Sequence, residues 1–148
     1  MPENILWFKE LSKNDIPLVG GKGANLGELY NIEIPVPQGF VVSADAYKKF
    51  LQENKISSLI YSILENLDVN DADKLHNAAK EVQEIILESN IPADIRTDIL
   101  EAYENLNVDI DIFKVASKQA LDIIKAGRDM LFVAIRSSAT AEDLPNVS

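Results

Sequence analysis

The chain has 148 residues, and 24 Asp and Glu outnumber 14 Lys and Arg, so its formal net charge is −10. With 47% hydrophobic and 26% charged residues, the composition is typical of a globular domain and excludes a disordered or fibrous chain. The absence of cysteine excludes disulfides, thiolate metal sites and a cysteine nucleophile. The acidic balance argues against nucleic acid or an anionic membrane as the main partner.

The start of the chain, MPENILWFKEL, lacks the basic segment and longer apolar run of a secretory signal. The longest apolar run, 130–135, is far shorter than the roughly 20 residues of a membrane helix. We therefore expect a cytoplasmic protein that forms one domain or two small lobes.

The first third of the chain is rich in glycine and proline. Residues 5–9 suit a short strand, Pro17 to Gly23 a flexible turn, and Ala24 to Tyr30 a helix that starts directly behind the glycines. After a proline turn at 34–39, FVV at 40–42 suits a strand. Ser43 can then cap a helix whose inward-facing residues are Tyr47, Phe50 and Leu51.

The middle of the chain, from about Ser57 to Asn107, has helical periodicity with three apolar stripes. Asn70 or Asp71 can cap the second helix, and Pro92 suits the first turn of the third. The stripes are Leu59, Ile60, Ile63, Leu64 and Leu67; Leu75, Ala78, Ala79, Val82, Ile85 and Ile86; and Ile95, Ile99, Ala102, Tyr103 and Leu106.

The last third of the chain mixes strand and helix signals. Residues 108–113 alternate as a strand or an extended connection does, and Ser117 to Ala126 suits a helix ended by Gly127. The run at 130–135 is apolar throughout, which predicts a strand buried on both faces. The fold class predicted is α/β or α+β, with a helical cluster in the middle.

The first candidate site is VGGKGANLGEL, residues 19–29. Gly20, Gly21 and Gly23 allow close backbone approach, and a helix start behind them offers free amide donors to an anion beside the charge of Lys22. The spacing fits neither a Walker A loop nor GxGxxG. An ordinary glycine-rich turn with an exposed lysine is the alternative.

The second candidate site is AIRSSATAEDLP, residues 134–145. The apolar run delivers Arg136 at its carboxyl end, where open α/β sheets bind ligands, and small hydroxyl residues follow it. This composition suits a loop folded around phosphates. Alternatively, Arg136 pairs with Glu142 or Asp143 and closes the loop.

Together with IPVPQGFVVSADAY at 34–47, these motifs resemble the nucleotide-binding domain of the family of phosphoenolpyruvate synthases and pyruvate phosphate dikinases. The resemblance implies that residues 1–148 are the N-terminal portion of an ATP-grasp domain, truncated within the last motif. It implies that Lys22 and Arg136 contact ATP phosphates and that the glycines shape the loop. Ser137, Ser138 and Thr140 are further ATP-binding candidates, and no catalytic residue is assigned.

The resemblance also implies an overall reaction. ATP, pyruvate and water give phosphoenolpyruvate, AMP and phosphate, through a phosphohistidine on a downstream domain. The partners implied are ATP and the rest of the enzyme, namely a second nucleotide lobe carrying the Mg²⁺ ligands, the phosphohistidine domain and a pyruvate-binding barrel. The fragment alone is expected to be inactive in the full reaction.

Two alternatives remain open from the sequence. The first alternative is a part of a related dikinase, such as a rifampicin phosphotransferase, with another phosphate acceptor. The second is a non-catalytic interaction module. No metal site is predicted within the chain: His76 is expected at the surface, and Glu81, Glu84 and Glu88 on a solvated helix face. Asp109 and Asp111 are interpreted as the wet face of a strand.

Overall fold

The structure is a computed structural model that describes residues 3–65, 67–108, 112, 116–125 and 132–141. Its strands are β1 (Ile5–Trp7) and β2 (Phe40–Val42). Its helices, in chain order, are α1 (Ile16–Asn31), α2 (Ala44–Glu53), α3 (Ser57–Leu64), α4 (Ala72–Glu88), α5 (Ala93–Glu104) and α6 (Lys118–Lys125). The chain divides into two compact units, one from Met1–Ala46 with Asp94–Ser148 and the other from Tyr47–Ala93.

The first unit is organised around an antiparallel pair of strands that is apolar on both faces. Leu6 lies opposite Val41, and Trp7 lies opposite Phe40. Because side chains alternate across a strand, these two pairs face opposite sides of the sheet. The Trp7 face packs with Ile5, Ala102 and Leu106, and the Leu6 face packs with Phe8, Leu11, Ile16, Val19 and Ala24. The sheet therefore lies between residues of α1 and residues at the end of α5.

Ser43 joins the sheet to the start of α2. Its backbone N–H donates to the carbonyl of Asn4 (2.9 Å), and its hydroxyl donates to the carbonyl of Glu3 (2.8 Å). The same hydroxyl accepts from the N–H of Ala46 (3.2 Å), so it caps α2 as predicted. Ser43 is almost fully buried, and these bonds satisfy its polar atoms.

The second unit contains α3 and α4, which contact each other. Asn54 and Asn90 exchange hydrogen bonds: the Asn54 amide donates to the Asn90 carbonyl (2.9 Å), and the Asn90 N–H donates to Asn54 Oδ1 (3.2 Å). Asp71 accepts a hydrogen bond from the N–H of Lys74 (3.1 Å), so the N-terminus of α4 is capped as predicted, by Asp71.

Several residues predicted to face a core are in fact exposed. Tyr47 is 50% exposed, and Leu59, Leu64 and Leu75 lie between 44% and 49%. Within the described second unit, the first two stripes are covered in part: Ala78 is buried, and Ile60, Ile63, Val82, Ile85 and Ile86 are half-buried. The third stripe agrees better with the prediction, since Ile95, Ala102 and Leu106 are buried.

The end of the chain departs most from the prediction. The prediction of a strand buried on both faces is wrong for residues 132–135. These residues are not in a strand, and Phe132 is 97% exposed and Ile135 is 93% exposed. Hydropathy indicates that a segment favours burial but does not supply the partner. The predicted helix is present as α6, and Ser117 Oγ accepts from the N–H of Ala120 (3.3 Å). Residues 109–111, 113, 126–131 and 142–148, on which other predictions fall, lie outside the described residues.

Candidate functional site

The glycine motif lies within α1, whose two helical segments meet at a break in this motif. The predicted turn at Pro17 to Gly23 is shorter than expected: α1 begins at Ile16 with Pro17 in its first turn, and the chain leaves helical geometry only at Gly20. The helix is interrupted at Gly20, which has φ of 72° and ψ of 170°. This backbone conformation is essentially restricted to glycine, so Gly20 is the residue that permits the break.

In chain order the three motifs are residues 19–29, 34–47 and 134–145, and the break in α1 is filled by a side chain from the third. Ser138 Oγ donates to the carbonyl of Val19 (2.7 Å) and accepts from the N–H of Gly23 (3.1 Å). A Cβ on Gly20 would collide with this hydroxyl and lie 2.7 Å from the Ser138 carbonyl carbon. Gly20 therefore provides both the backbone conformation and the space that Ser138 requires.

A second contact joins the same two motifs. The N–H of Gly21 donates to the carbonyl of Ala139 (3.2 Å). Lys22 thus lies between two glycines whose amides both bond to the segment 138–139. The structure brings the first and third sequence motifs together, although 119 positions separate Val19 from Ser138.

These bonds correct part of the sequence prediction. The helix start was expected to offer free amide donors, but those of Gly21 and Gly23 are occupied by Ala139 and Ser138. A hydroxyl has one proton, and Ser138 uses it on Val19, so Ser138 has none to donate to a phosphate in this arrangement.

The remaining candidate residues differ in exposure. Lys22 is half-buried, whereas Arg136, Ser137 and Thr140 are exposed. Gly20, Gly21 and Gly23 are buried beneath the third motif. Both charged candidates are therefore at least partly accessible, as are Ser137 and Thr140, whereas the glycines act through backbone shape.

The second motif, residues 34–47, packs closely against the first at Gly23. A Cβ on Gly23 would lie 3.1 Å from the Val41 side chain of β2 and 3.1 Å from Val19. One helical turn later, a Cβ on Gly27 would collide with Leu11 and lie 3.0 Å from its carbonyl oxygen. Sequence reasoning missed this packing role, although glycines four residues apart share one face of a helix and signal a close approach.

The other described residues considered from the sequence are on the exposed face of α4. His76, Glu81, Glu84 and Glu88 are exposed, and Lys80 pairs with Glu84 at 3.9 Å, as on a solvated helix face. In the part of the chain that the structure describes, no three histidine or acidic side chains are grouped so as to hold a metal ion. None of the described helices has the length and apolar character needed to cross a bilayer.

Comparison with known families places the chain in a class of nucleotide-binding domains. Residues 16–148 match the family described as pyruvate phosphate dikinase, AMP/ATP-binding domain. Because the match covers most of the sequence, including all three motifs, the chain belongs to this family.

Curated relatives agree with the family match. The chain is 45% identical over 144 residues to a probable phosphoenolpyruvate synthase of Methanocaldococcus jannaschii, covering 97% of this chain and 11% of the relative. It is 36% identical to the phosphoenolpyruvate synthase of Pyrococcus furiosus, covering 97% of this chain and 20% of the relative. It is 37% identical to the phosphoenolpyruvate synthase of Helicobacter pylori, covering 97% of this chain and 16% of the relative. The chain thus spans between a tenth and a fifth of the length of these relatives.

Proposed function

We propose that this chain is the ATP-binding portion of a phosphoenolpyruvate synthase, in which ATP, pyruvate and water give phosphoenolpyruvate, AMP and phosphate. The similarity to phosphoenolpyruvate synthases across nearly the whole chain supports this choice of reaction. The phosphohistidine and the pyruvate site belong to other domains of the enzyme under this proposal, so the 148 residues alone do not complete the reaction.

The observation that carries the proposal is the junction between the glycine motif and the segment 138–139. It joins the stretch of chain that carries Lys22 to the one that carries Arg136. We propose that these two cations contact the phosphates of ATP within an ATP-grasp fold. Phosphoryl transfer depends on positioning and on neutralising phosphate oxygens, which a lysine and an arginine provide.

Local cations are necessary because the chain as a whole is acidic. A net charge of −10 repels a nucleotide triphosphate at long range, so binding requires a few positive groups held close together. In this proposal Gly20, Gly21 and Gly23 shape the broken part of α1 beside Lys22, and Ser137 and Thr140 are exposed hydroxyls available to the nucleotide. The Mg²⁺ ligands implied by the resemblance are predicted in the downstream lobe.

The test is nucleotide binding by the 148-residue chain and three variants. Lys22→Ala and Arg136→Ala are each expected to weaken binding of a non-hydrolysable ATP analogue by about tenfold or more, because each removes a charge-assisted contact. Lys80→Ala is the matched control, since it removes the same charge from a residue paired with Glu84 on α4. Equal affinities in all four proteins would refute the phosphate site.

Two further measurements separate the site from the reaction. Adenosine, which has no phosphates, should bind the four proteins equally if the two cations act on phosphates. The full-length protein should form AMP and phosphoenolpyruvate only when pyruvate is present, which phosphorus NMR of the products can show. AMP formation that does not depend on pyruvate would point to another phosphate acceptor.

A further inference from the structure

The hydroxyl of Ser138 bonds to the two backbone groups that an unbroken helix would pair with each other. In an unbroken α-helix the N–H of residue 23 donates to the carbonyl of residue 19. In α1 the chain departs from helical geometry at Gly20, and Ser138 Oγ stands between these two groups, donating to Val19 (2.7 Å) and accepting from Gly23 (3.1 Å). We call this arrangement the serine bridge.

The serine bridge accounts for the break in α1. Sharp helix breaks occur where a residue departs from helical geometry or where a side chain inserts into the hydrogen-bond ladder, and both are present here. The inserted hydroxyl gives Val19 a donor and Gly23 an acceptor. Both residues are buried, so leaving these groups unsatisfied would be costly.

The serine bridge and the bond from Gly21 to Ala139 together hold the backbone around Lys22. Lys22 lies between Gly21, which donates to Ala139, and Gly23, which donates to Ser138. The backbone on both sides of Lys22 is therefore held by the third motif. A long flexible lysine side chain binds a phosphate best when its backbone is fixed, because less freedom remains to be lost on binding.

We propose that Ser138 is a positioning residue, which holds the break in α1 and thereby sets the position of Lys22, and that it is not itself a phosphate ligand. The effect on ATP rests on the proposed function, whereas the serine bridge is a property of the protein without nucleotide. Ser137, the exposed neighbour of Ser138, provides a matched control for removal of a hydroxyl.

The first test measures exchange of the Gly21 and Gly23 amide hydrogens by NMR in the 148-residue chain without nucleotide. Gly23 should be protected in the wild type, and Ser138→Ala should speed its exchange about tenfold because one hydrogen bond is lost. Ser137→Ala should leave both rates unchanged, and Ser138→Thr, which retains a hydroxyl, should restore protection. The serine bridge is refuted if Gly23 exchanges freely in the wild type or if Ser138→Ala leaves both amides at wild-type rates.

The second test is a double-mutant cycle in binding of the ATP analogue. Ser138→Ala should weaken binding when Lys22 is present and have no further effect in the Lys22→Ala background, because both changes act through the same lysine. An equal loss in both backgrounds would make Ser138 an independent ligand and overturn its positioning role. If the wild type binds no analogue, the proposed function fails, while the exchange result still decides whether the serine bridge exists.

Discussion

Gly20 and Ser138 depend on each other, because the space left by the missing side chain of Gly20 is the space that the hydroxyl of Ser138 occupies. Any side chain on Gly20 would meet the Ser138 hydroxyl, its carbonyl carbon at 2.7 Å and the Ala139 oxygen at 2.8 Å. Two of these three neighbours are backbone atoms, so the collision cannot be relieved by rotating a side chain.

Gly20→Ala is therefore expected to destabilise the protein. The strained conformation alone costs about 1–3 kcal/mol for a residue with a Cβ, and the steric collision adds to it. Urea unfolding of the chain, monitored by circular dichroism, measures the change in the free energy of unfolding. Asn25→Ala is the control: it lies exposed on the same helix, and its effect should stay within about 0.5 kcal/mol. Equal stability of the two variants would contradict the role assigned to Gly20.

Gly27→Ala is expected to destabilise the protein for a different reason, namely close backbone packing. A Cβ there would collide with the Leu11 side chain and lie 3.0 and 3.1 Å from the carbonyl oxygens of Leu11 and Phe8. Such overpacking costs typically about 1–3 kcal/mol.

Gly23→Ala is the comparison for Gly27→Ala. Its nearest neighbours are side-chain atoms of Val19 and Val41 at 3.1 Å or more, which can shift slightly. We expect Gly23→Ala to cost less than Gly27→Ala in the same urea measurement. The reverse order would show that the backbone around Leu11 is more adaptable than its contacts suggest.

Local signals in the sequence predicted the helix starts well. The sequence predicts Ser43 as one cap and Asn70 or Asp71 as another, and Ser43 and Asp71 each accept a hydrogen bond from the first turn of their helices. A cap depends on a side chain and a backbone group three residues apart, so its energetics are contained in the local sequence. The strand FVV was also confirmed, as β2.

The junction of the candidate site depended on contacts that local patterns do not encode. Glycines at 20, 21 and 23 are compatible with a loop or with an interrupted helix, and the choice is made by Ser138, which lies far along the chain. The run 132–135 fails for the same reason. Its apolar residues indicate burial, but whether they are buried depends on partners elsewhere in the chain. The meeting of the motifs was suggested by the family resemblance and not by periodicity.

Glu33→Gly is expected to stabilise the protein. Glu33 follows α1 with φ of 61°, and the N–H groups of Glu33 and Ile34 donate back to Tyr30 and Leu29 (3.1 Å each). This is a Schellman motif, whose left-handed position favours glycine. A left-handed residue with a Cβ costs about 1–2 kcal/mol, which exceeds the roughly 0.5–1 kcal/mol entropic cost of glycine, so a gain of up to about 1 kcal/mol is expected.

Two further variants check this prediction for Glu33. Lys55 follows α2 with φ of 57°, and the N–H groups of Lys55 and Ile56 make the equivalent pair of hydrogen bonds, so Lys55→Gly should stabilise the second unit in the same way. Gln83→Gly, at an exposed position inside α4, should instead destabilise by about 1 kcal/mol. Thermal unfolding monitored by circular dichroism shows whether each of the three variants gains or loses stability. A loss of stability in both Glu33→Gly and Lys55→Gly would refute the argument.

Asp71 should make the stability of the second unit depend on pH. The N–H of Lys74 first, and then its ammonium group at 3.1 Å, hold the pKa of the Asp71 carboxyl below its ordinary value of 3.8. A carboxyl whose pKa is lower in the folded state stabilises the protein fully above its unfolded-state pKa, and this contribution disappears as pH falls through the folded-state pKa. Asp71→Asn keeps an oxygen acceptor for the cap but cannot ionise, so the wild type should lose its advantage over this variant as pH falls below 3.8. Thermal midpoints of both proteins, measured from about pH 6 to about pH 2, test this, and a constant difference across that range would show that the charge of Asp71 does not contribute.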